Sequence, residues 1–169
     1  MKRNEGVFDP TDIFAALNQA KVRYLVVGGV AAVLYGVNRT TSDVDLAVEL
    51  TTDNLKTLEV VLERKGFVRR LPVSIQGLAD ARTRTLWTKQ KGMKVYSFME
   101  SKPPARVIDV MVKPLANFDR AYAQRVTATV HHVPVPLIPV HLLAWMKREA
   151  GRPEDLRDLQ ALRQLGRIR

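Results

Sequence analysis

The 169-residue sequence contains no cysteine, which excludes disulfide bonds and thiolate metal sites. It also lacks a long apolar run: the longest, residues 24–37, has 14 residues and includes three glycines, too few for a membrane-spanning helix. No apolar stretch of the signal-peptide type follows the basic start at residues 1–6. These absences predict a soluble cytoplasmic protein that neither enters nor binds a membrane.

Acidic residues are scarce relative to basic ones. Lysine and arginine total 27 against 17 aspartates and glutamates, a net charge of +10 that favours a polyanionic partner such as nucleic acid or a nucleotide. Between Arg69 and Lys94 seven basic residues face Asp80 alone, so this segment contributes +6. Such a run indicates either a binding surface or a solvated loop.

The hydrophobic pattern predicts a mixed β-sheet flanked by helices, an α/β (α+β) class, in a single domain over residues 1–169. The α/β core is expected over residues 1–137 and a C-terminal helical pair over 138–169. The pattern predicts elements in the following ranges: helices after Asp9-Pro10, over 30–35, from Thr52 or Asp53 to Gly66, over 139–149 and over 153–165; strands over 22–27, 43–50, 67–70, 93–99 and 106–112.

Two further expectations concern the C-terminal third. Pro134 and Pro136 interrupt residues 133–137, which can then form only an edge strand or an extended loop. In the last helix, leucines recur at every third residue and predict one apolar stripe, formed by Leu156, Leu159, Leu162 and Leu165. Residues 72–92 fit a helix and a loop equally well.

The predicted strand from residue 43 carries Asp43 and Asp45, whose i, i+2 spacing places both carboxylates on one side. Charges this close remain ionised only when a cation compensates them. Asp109, in the middle of a second apolar strand, supplies a third carboxylate if the two strands are neighbours. Oxygen ligands suit Mg²⁺ or Mn²⁺. The alternatives are that Asp43 and Asp45 lie on a solvated edge strand and that Asp109 is a salt-bridged core residue.

Gly28 and Gly29 lie at the predicted junction between a strand and a helix. Residues without Cβ allow backbone N–H groups to approach a phosphate there, although a tight turn explains such a pair equally simply. Together the glycine turn and the three aspartates favour a site for a nucleoside triphosphate and two metal ions, suited to in-line displacement at phosphorus.

These motifs resemble the nucleotidyltransferase superfamily with the DNA polymerase β-type fold, whose signature is a glycine turn, a D-x-D strand and a later third Asp. The string "RTTSDVDL" is also similar to the abortive-infection (AbiEii-like) toxin–antitoxin branch, with Arg39 and Thr41 at its Arg and Ser/Thr positions. The closing motif of that branch, a Lys, an Arg and D-x-x-D, is similar to Lys147, Arg152, Asp155 and Asp158. The matches bracket residues 24–165, while residues 67–105 match no known motif.

The resemblance implies a metal-dependent enzyme in which Asp43, Asp45 and Asp109 bind Mg²⁺ or Mn²⁺ and carry the catalysis. It implies a nucleotide-binding set: Gly28, Gly29, Arg39, Thr41, Ser42, Lys147 and Asp155. The alternatives are purely structural roles. Thr41 and Ser42 would then be turn residues and Arg39 a loop arginine, and the charges of the last two helices would be exposed: Lys147, Arg152, Asp155 and Asp158. His131-His132 as a zinc site and Trp87 as a base-stacking residue are weaker candidates.

The expected reaction transfers a nucleoside monophosphate from an NTP to an acceptor and releases pyrophosphate. The basic surface and the resemblance favour RNA, such as a tRNA 3′ end, as acceptor, with a cognate toxin or antitoxin protein as a possible partner. Protein or small-molecule acceptors, as in antitoxin-type and antibiotic-modifying relatives, and a non-catalytic module that binds nucleic acid or a partner protein are the alternatives. The sequence leaves the base and the acceptor open.

Overall fold

The computed structural model describes residues 9–169, so the basic start at residues 1–6 lies outside the described residues. The described chain contains seven α-helices and seven strands in the following order: α1 Thr11–Gln19, β1 Tyr24–Val27, α2 Gly28–Leu34, β2 Asp43–Val48, α3 Thr52–Arg64, β3 Phe67–Arg69, α4 Ala81–Lys91, β4 Val95–Glu100, β5 Val107–Met111, α5 Phe118–Ala123, β6 Val126–Val130, β7 Val133–Leu137, α6 Val140–Ala150 and α7 Pro153–Gln164. Within the described range, no helix combines the length and the apolar character needed to cross a bilayer.

All strands join one sheet in the order β3-β4-β5-β2-β1-β7-β6. Strands β2 and β5 are parallel, as are β1 and β7, whereas the remaining pairs are antiparallel. The mixed sheet with flanking helices confirms the predicted fold class. It also makes β2 and β5 direct neighbours, which brings Asp109 beside the two aspartates of β2.

The two faces of the sheet differ in burial. On one face, which we call the covered face, Tyr96, Phe98, Ile108 and Val110 are fully buried. Helix α1 packs there through Phe14 on Tyr24 and α4 through Trp87 on Tyr96, each pair with ring centroids 6.2 Å apart. Residues of opposite parity on β4 and β5 point to the other, open face and remain half-buried. Along β4 and β5 the core therefore lies under the covered face, and the aspartates face the opposite side. Toward β1 this opposite side is itself buried, at Leu25 and Ala47, where α2 packs on the sheet.

Several predicted boundaries shift by one or two residues. Helix α2 begins at Gly28, so the glycine pair forms its first turn instead of preceding it. Thr51, not Thr52 or Asp53, caps α3 and accepts a hydrogen bond from the Asn54 N–H at 3.4 Å. The undecided residues 72–92 form a short 3₁₀ turn and α4, whose Asp80 cap accepts from the Thr83 N–H at 2.7 Å. Helix α5 and strand β6 have no counterpart in the sequence prediction.

The prediction that residues 133–137 lie at an edge is wrong, because β6 occupies the edge and β7 lies between β6 and β1. The prolines pair with Thr127 and Thr129 in the β6 register, so the donors toward β6 come from the intervening residues. On the β1 side, pairing is confined to the end of the strand at Leu137, where the Ile138 N–H donates to the Val26 carbonyl at 3.1 Å. Proline is tolerated in this interior strand because β7 forms few backbone hydrogen bonds with β1.

The predicted leucine stripe of α7 is also wrong. Leu159 and Leu162 are buried, but Leu156 and Leu165 are about half exposed. A spacing of three residues drifts around a helix of 3.6 residues per turn, so four such positions cannot share one face. The buried face instead follows the i, i+3, i+4, i+7 pattern and contains two aspartates, being formed by Asp155, Asp158, Leu159 and Leu162.

Candidate functional site

A cleft of about 480 Å³ opens on the open face of the sheet. It is lined by the turn of α2, the loop before β2, the strands β2 and β5, and the helical pair at the C-terminal end. The lining residues are Gly29, Arg39, Thr40, Thr41, Ser42, Asp43, Asp45, Asp109, Lys147, Arg152 and Glu154. Eight of the ten predicted site residues line it directly, and Gly28 and Asp155 lie behind this wall in contact with Asp45 and Lys147, respectively.

Three carboxylates meet at the floor of the cleft. The parallel register sets Asp45 directly opposite Asp109, with Asp43 one position away on the same face. Burial, followed by the charges of Asp109 and Asp43, raises the pKa of Asp45 to about 6. Burial also raises the pKa of Asp109, although a hydrogen bond from Ser97 and the charge of Arg70 oppose the rise. The protein therefore holds these carboxylates close together without compensating them fully.

The carboxylate floor has the chemistry of a divalent-cation site. Only oxygen donors are present on it, and their raised pKa values show that positive charge at this position would be favoured. Within residues 9–169, no three His, Asp or Glu side chains are already arranged to enclose an ion. The aspartates fit a metal that retains water and substrate oxygens among its ligands, so the ligation by Asp43, Asp45 and Asp109 stays a prediction.

The backbone at Gly28 and Gly29 lies so close to neighbouring side chains that a Cβ at either position would clash. Gly28 has φ +64°, and a Cβ there would collide with the Asp45 carboxylate. A Cβ on Gly29 would lie 2.7 Å from Thr41 Oγ1, which closes the cleft wall on that side. Only glycines allow the α2 turn to pass over the carboxylates, and Gly29 then presents bare backbone to the cleft.

The opposite wall is an ion cluster, which we call the clamp: Lys147, Asp155 and Asp158 are buried, whereas Arg39 and Arg152 reach solvent. Lys147, Asp155 and Asp158 are 4%, 2% and 3% exposed, so their interpretation as exposed helix charges is wrong. Lys147 Nζ donates to Asp158 Oδ2 at 2.7 Å and lies 3.4 Å from Asp155 Oδ1. A buried lysine between two carboxylates ties α6 to α7.

Two arginines connect the clamp to the cleft. Arg39 Nη1 donates to Asp158 Oδ2 at 2.7 Å, which joins α7 to the loop that precedes β2. Arg152 Nε donates to Asp155 Oδ2 at 2.7 Å, and this bond together with the charge of Lys147 holds the pKa of Asp155 below its usual range despite burial. Both guanidinium groups line the cleft, so its cationic side is fixed by buried aspartates.

Sequence reasoning missed three neighbours of the site. Ser97 Oγ donates to Asp109 Oδ1 at 2.5 Å, which leaves the other carboxylate oxygen for a ligand. Glu154 lines the cleft, and Arg70, the residue after β3, acts electrostatically on Asp109. Ser97 and Arg70 are found only through strand register, which no local motif encodes.

The weaker candidates lie elsewhere. Trp87 is buried on the covered face, stacked on Tyr96 and close to Gly77, so it is a core residue. His131 and His132 form the β6–β7 turn, both with positive φ, and His131 Nδ1 lies 3.5 Å from the Asp9 carboxylate. They belong to no group of three metal-ligating side chains within the described chain.

Solved structures share this architecture. The lincosamide antibiotic adenylyltransferase LnuA, bound to lincomycin, aligns over 94% of this chain and 98% of its own, with a TM-score of 0.63 and 14% identity. The antibiotic-resistance factor ANT(2'')-Ia aligns over 90% of this chain and 80% of its own, with a TM-score of 0.58 and 15% identity. A nucleotidyltransferase-like protein from Paracoccidioides brasiliensis aligns over 90% of this chain and 72% of its own, with a TM-score of 0.56 and 18% identity.

At these identities the likeness establishes the fold, which is that of nucleotidyltransferases. No protein-family model matches the chain, and no curated protein matches its sequence significantly. The fold expected from the resemblance is confirmed, while the AbiEii-like branch rests on the motifs alone.

Proposed function

We propose that the protein transfers a nucleoside monophosphate from an NTP to the hydroxyl of an acceptor. The observation that carries the proposal is that, in one cleft, an undercompensated carboxylate floor lies opposite three basic side chains, Arg39, Lys147 and Arg152, which buried aspartates hold in place. The fold adds weight, because structures that share it include adenylyltransferases. The same geometry argues against a non-catalytic module, for which three adjacent half-buried aspartates would be a cost without a benefit.

Each part of the cleft has a role in this reaction. Asp43 and Asp45 would hold the divalent cations, with Asp109 as a further ligand; when bound, Mg²⁺ neutralises charge on the phosphates. Gly28 and Gly29 form the turn that admits the triphosphate, and Ser42 donates to it. Arg39, Arg152 and Lys147 supply positive charge on the opposite wall, with Asp155 orienting Arg152 and Lys147.

The transfer balances as a substitution at the α-phosphorus. The acceptor oxygen forms a bond to the α-phosphorus, the bond from that phosphorus to the α,β-bridging oxygen breaks, and pyrophosphate leaves. Asp109 accepts the proton of the attacking hydroxyl through its free oxygen, since Ser97 occupies the other. Burial raises the pKa of Asp109, which makes this carboxylate a better proton acceptor than an exposed one.

RNA is the acceptor that we propose, because the net charge of +10 favours a polyanion and the motifs of residues 39–45 and 147–158 resemble the AbiEii-like toxin–antitoxin branch. A small-molecule acceptor is the second candidate, favoured by the overall likeness to proteins described as antibiotic adenylyltransferases. A cognate toxin or antitoxin partner belongs to the first possibility only.

The test is incubation with each α-labelled NTP and Mg²⁺ in the presence of total RNA, cell protein or lincosamide and aminoglycoside antibiotics in separate reactions. We expect label in RNA with an equal amount of pyrophosphate, and loss of both with Asp45→Asn or with EDTA. Label in antibiotic would transfer the proposal to the second candidate. Absence of label in every fraction, with no thermal stabilisation by NTP and Mg²⁺, would refute nucleotidyl transfer.

A further inference from the structure

Two rows of side chains cross the open face from the aspartates to the edge strand β3. The first row is polar: Asp45, Asp109, Ser97 and Arg70. The second row becomes apolar after its first member: Asp43, Val107, Met99 and Val68. Each member lies beside the next in the strand register, so both rows begin at the carboxylate floor.

The apolar row is unusual for a solvent-facing side of a sheet. When only one face of a sheet is covered, the other face usually carries polar residues. Here Val68 is 51% exposed and Met99 and Val107 are half-buried, whereas Phe98 and Ile108 beside them on the covered face have no exposure. Apolar side chains beside a catalytic carboxylate indicate a surface that a ligand covers.

Arg70 ends the polar row with a positive charge. Its backbone N–H donates to the Ser97 carbonyl at 3.0 Å, which fixes it two strands away from Asp109. Two strand spacings of about 4.8 Å place its backbone roughly 10 Å from that of Asp109. An anionic group of the acceptor can therefore pair with Arg70 while its hydroxyl lies at Asp109.

We propose that this open face is the acceptor subsite and that it holds the 3′ end of an RNA strand. The terminal base lies on Val107, Met99 and Val68, since bases pack against apolar side chains. Arg70 pairs with a phosphate upstream of the reacting hydroxyl, as arginine does in charge-assisted contacts. The inference rests on the proposed nucleotidyl transfer and names the acceptor end that the transfer would modify.

The basic helix α4 offers a rival location for RNA. Arg82 and Lys89 are exposed on α4, which packs on the covered face through Trp87 and therefore lies on the other side of the sheet from Asp109. An RNA bound along α4 would not depend on Arg70 or Val68. The two locations are thus separable by single substitutions.

The experiment measures binding without transfer. A short 5′-fluorescein RNA of mixed sequence with a 3′-deoxy end is titrated with the full chain, and anisotropy is recorded between about 50 and 200 mM salt. We expect Arg70→Gln to weaken binding about fivefold and to lower the slope of log affinity against log salt by about one. Val68→Ser should weaken it about threefold to tenfold without changing the slope.

The matched controls are Arg82→Gln on α4 and Val60→Ser on the outer side of α3, where Val60 is 36% exposed. Both should bind within about twofold of the parent. Equal affinities for Arg70→Gln and the parent, no binding by the parent, or a larger loss with Arg82→Gln would overturn the subsite. Unchanged thermal unfolding of all four variants shows that the losses are local.

Failure of the subsite and failure of the proposed function give different results. Because the oligonucleotide lacks the terminal 3′-hydroxyl that the proposed transfer would modify, its binding is measured independently of transfer. Expected binding losses without any nucleotidyl transfer would retain the subsite and remove the function. Transfer to another acceptor with Arg70-independent RNA binding would retain the function and remove the subsite.

Discussion

The molecule contains two groups of carboxylates that border the same cleft and are treated oppositely. On the floor, Asp45 and Asp109 have raised pKa values because they are partly buried beside each other and beside Asp43. In the clamp, Asp155 is buried more deeply, yet its pKa is lowered by Arg152 and Lys147. Both groups of carboxylates are at least partly buried. They differ in how many lysine and arginine side chains lie close enough to compensate their charge.

The difference distinguishes a candidate binding site, the floor, from a structural ion cluster, the clamp. The clamp contains its own counterions, so its aspartates are stable in the protein as it stands. On the floor, the charges of Lys147, Arg152 and Arg70 offset the carboxylates only in part, so these aspartates would become more stable if a ligand brought positive charge. Removing charge should therefore have opposite effects on the two groups, and four substitutions test this contrast.

The largest effect is expected from Lys147→Met. It leaves Asp155 and Asp158 buried without their shared ammonium, and we expect the free energy of unfolding to fall by about 3–5 kcal/mol. Urea titration followed by circular dichroism measures the change. Arg148→Met, exposed on the same helix, is the control and should lie within about 0.5 kcal/mol of the parent. A loss below about 1 kcal/mol for Lys147→Met would show that the clamp is not structural.

The next effect has the opposite sign. Asp45→Asn removes an undercompensated charge, so at pH 8 in EDTA we expect the free energy of unfolding to rise by an amount on the order of 2 kcal/mol, while transfer is abolished. The matched clamp variant, Asp158→Asn, should lower stability. If both variants changed stability in the same direction, the contrast between floor and clamp would be lost.

The pH dependence follows from the same group. The folded pKa of Asp45, about 6, is above the ordinary 3.8, so the folded chain retains a proton that the unfolded chain releases first. The contribution of Asp45 to stability is thus complete below about pH 4 and is lost as the pH rises through about 6. The stability difference between Asp45→Asn and the parent should grow across this window and then level off.

The smallest effect concerns the link between the two groups. Arg39 is 28% exposed in its side chain and Asp158 keeps Lys147 when Arg39 is changed, so Arg39→Gln should cost less than about 1 kcal/mol of stability. Loosening the loop before β2 should raise the KM for NTP about threefold to tenfold with little change in kcat. Arg163→Gln, exposed on α7, is the control. A fall in kcat at constant KM would place Arg39 in the chemical step instead.

Sequence reasoning reached the floor because its pattern is local. The i, i+2 aspartates of β2 and the glycine pair lie within a short stretch of chain, and an aspartate inside an apolar strand stands out without any tertiary information. The clamp was reached only through a resemblance. Its burial was not predicted, because charged helix residues are ordinarily exposed and only the packing of α7 reverses this.

Register explains most of what was missed. Ser97 and Arg70 become neighbours of Asp109 through β4 and β3, and a shift of one residue would turn both to the covered face. The prediction for β7 is wrong because it excludes proline from every interior strand. What matters is whether the N–H at that particular position is needed for a hydrogen bond to a neighbouring strand. The predicted leucine stripe is wrong because a three-residue repeat does not match the 3.6 residues per turn of an α-helix.

The Arg39–Asp158 ion pair joins residues 119 positions apart in the chain. During synthesis the aspartates of the floor emerge early, but the wall that opposes them is complete only when α7 has left the ribosome. A nascent or truncated chain ending before Asp158 would contain the carboxylates of the floor without the complete clamp. The proposed binding of a triphosphate would therefore require synthesis to reach α7, so a copy that stops before Asp158 should not carry out the proposed transfer.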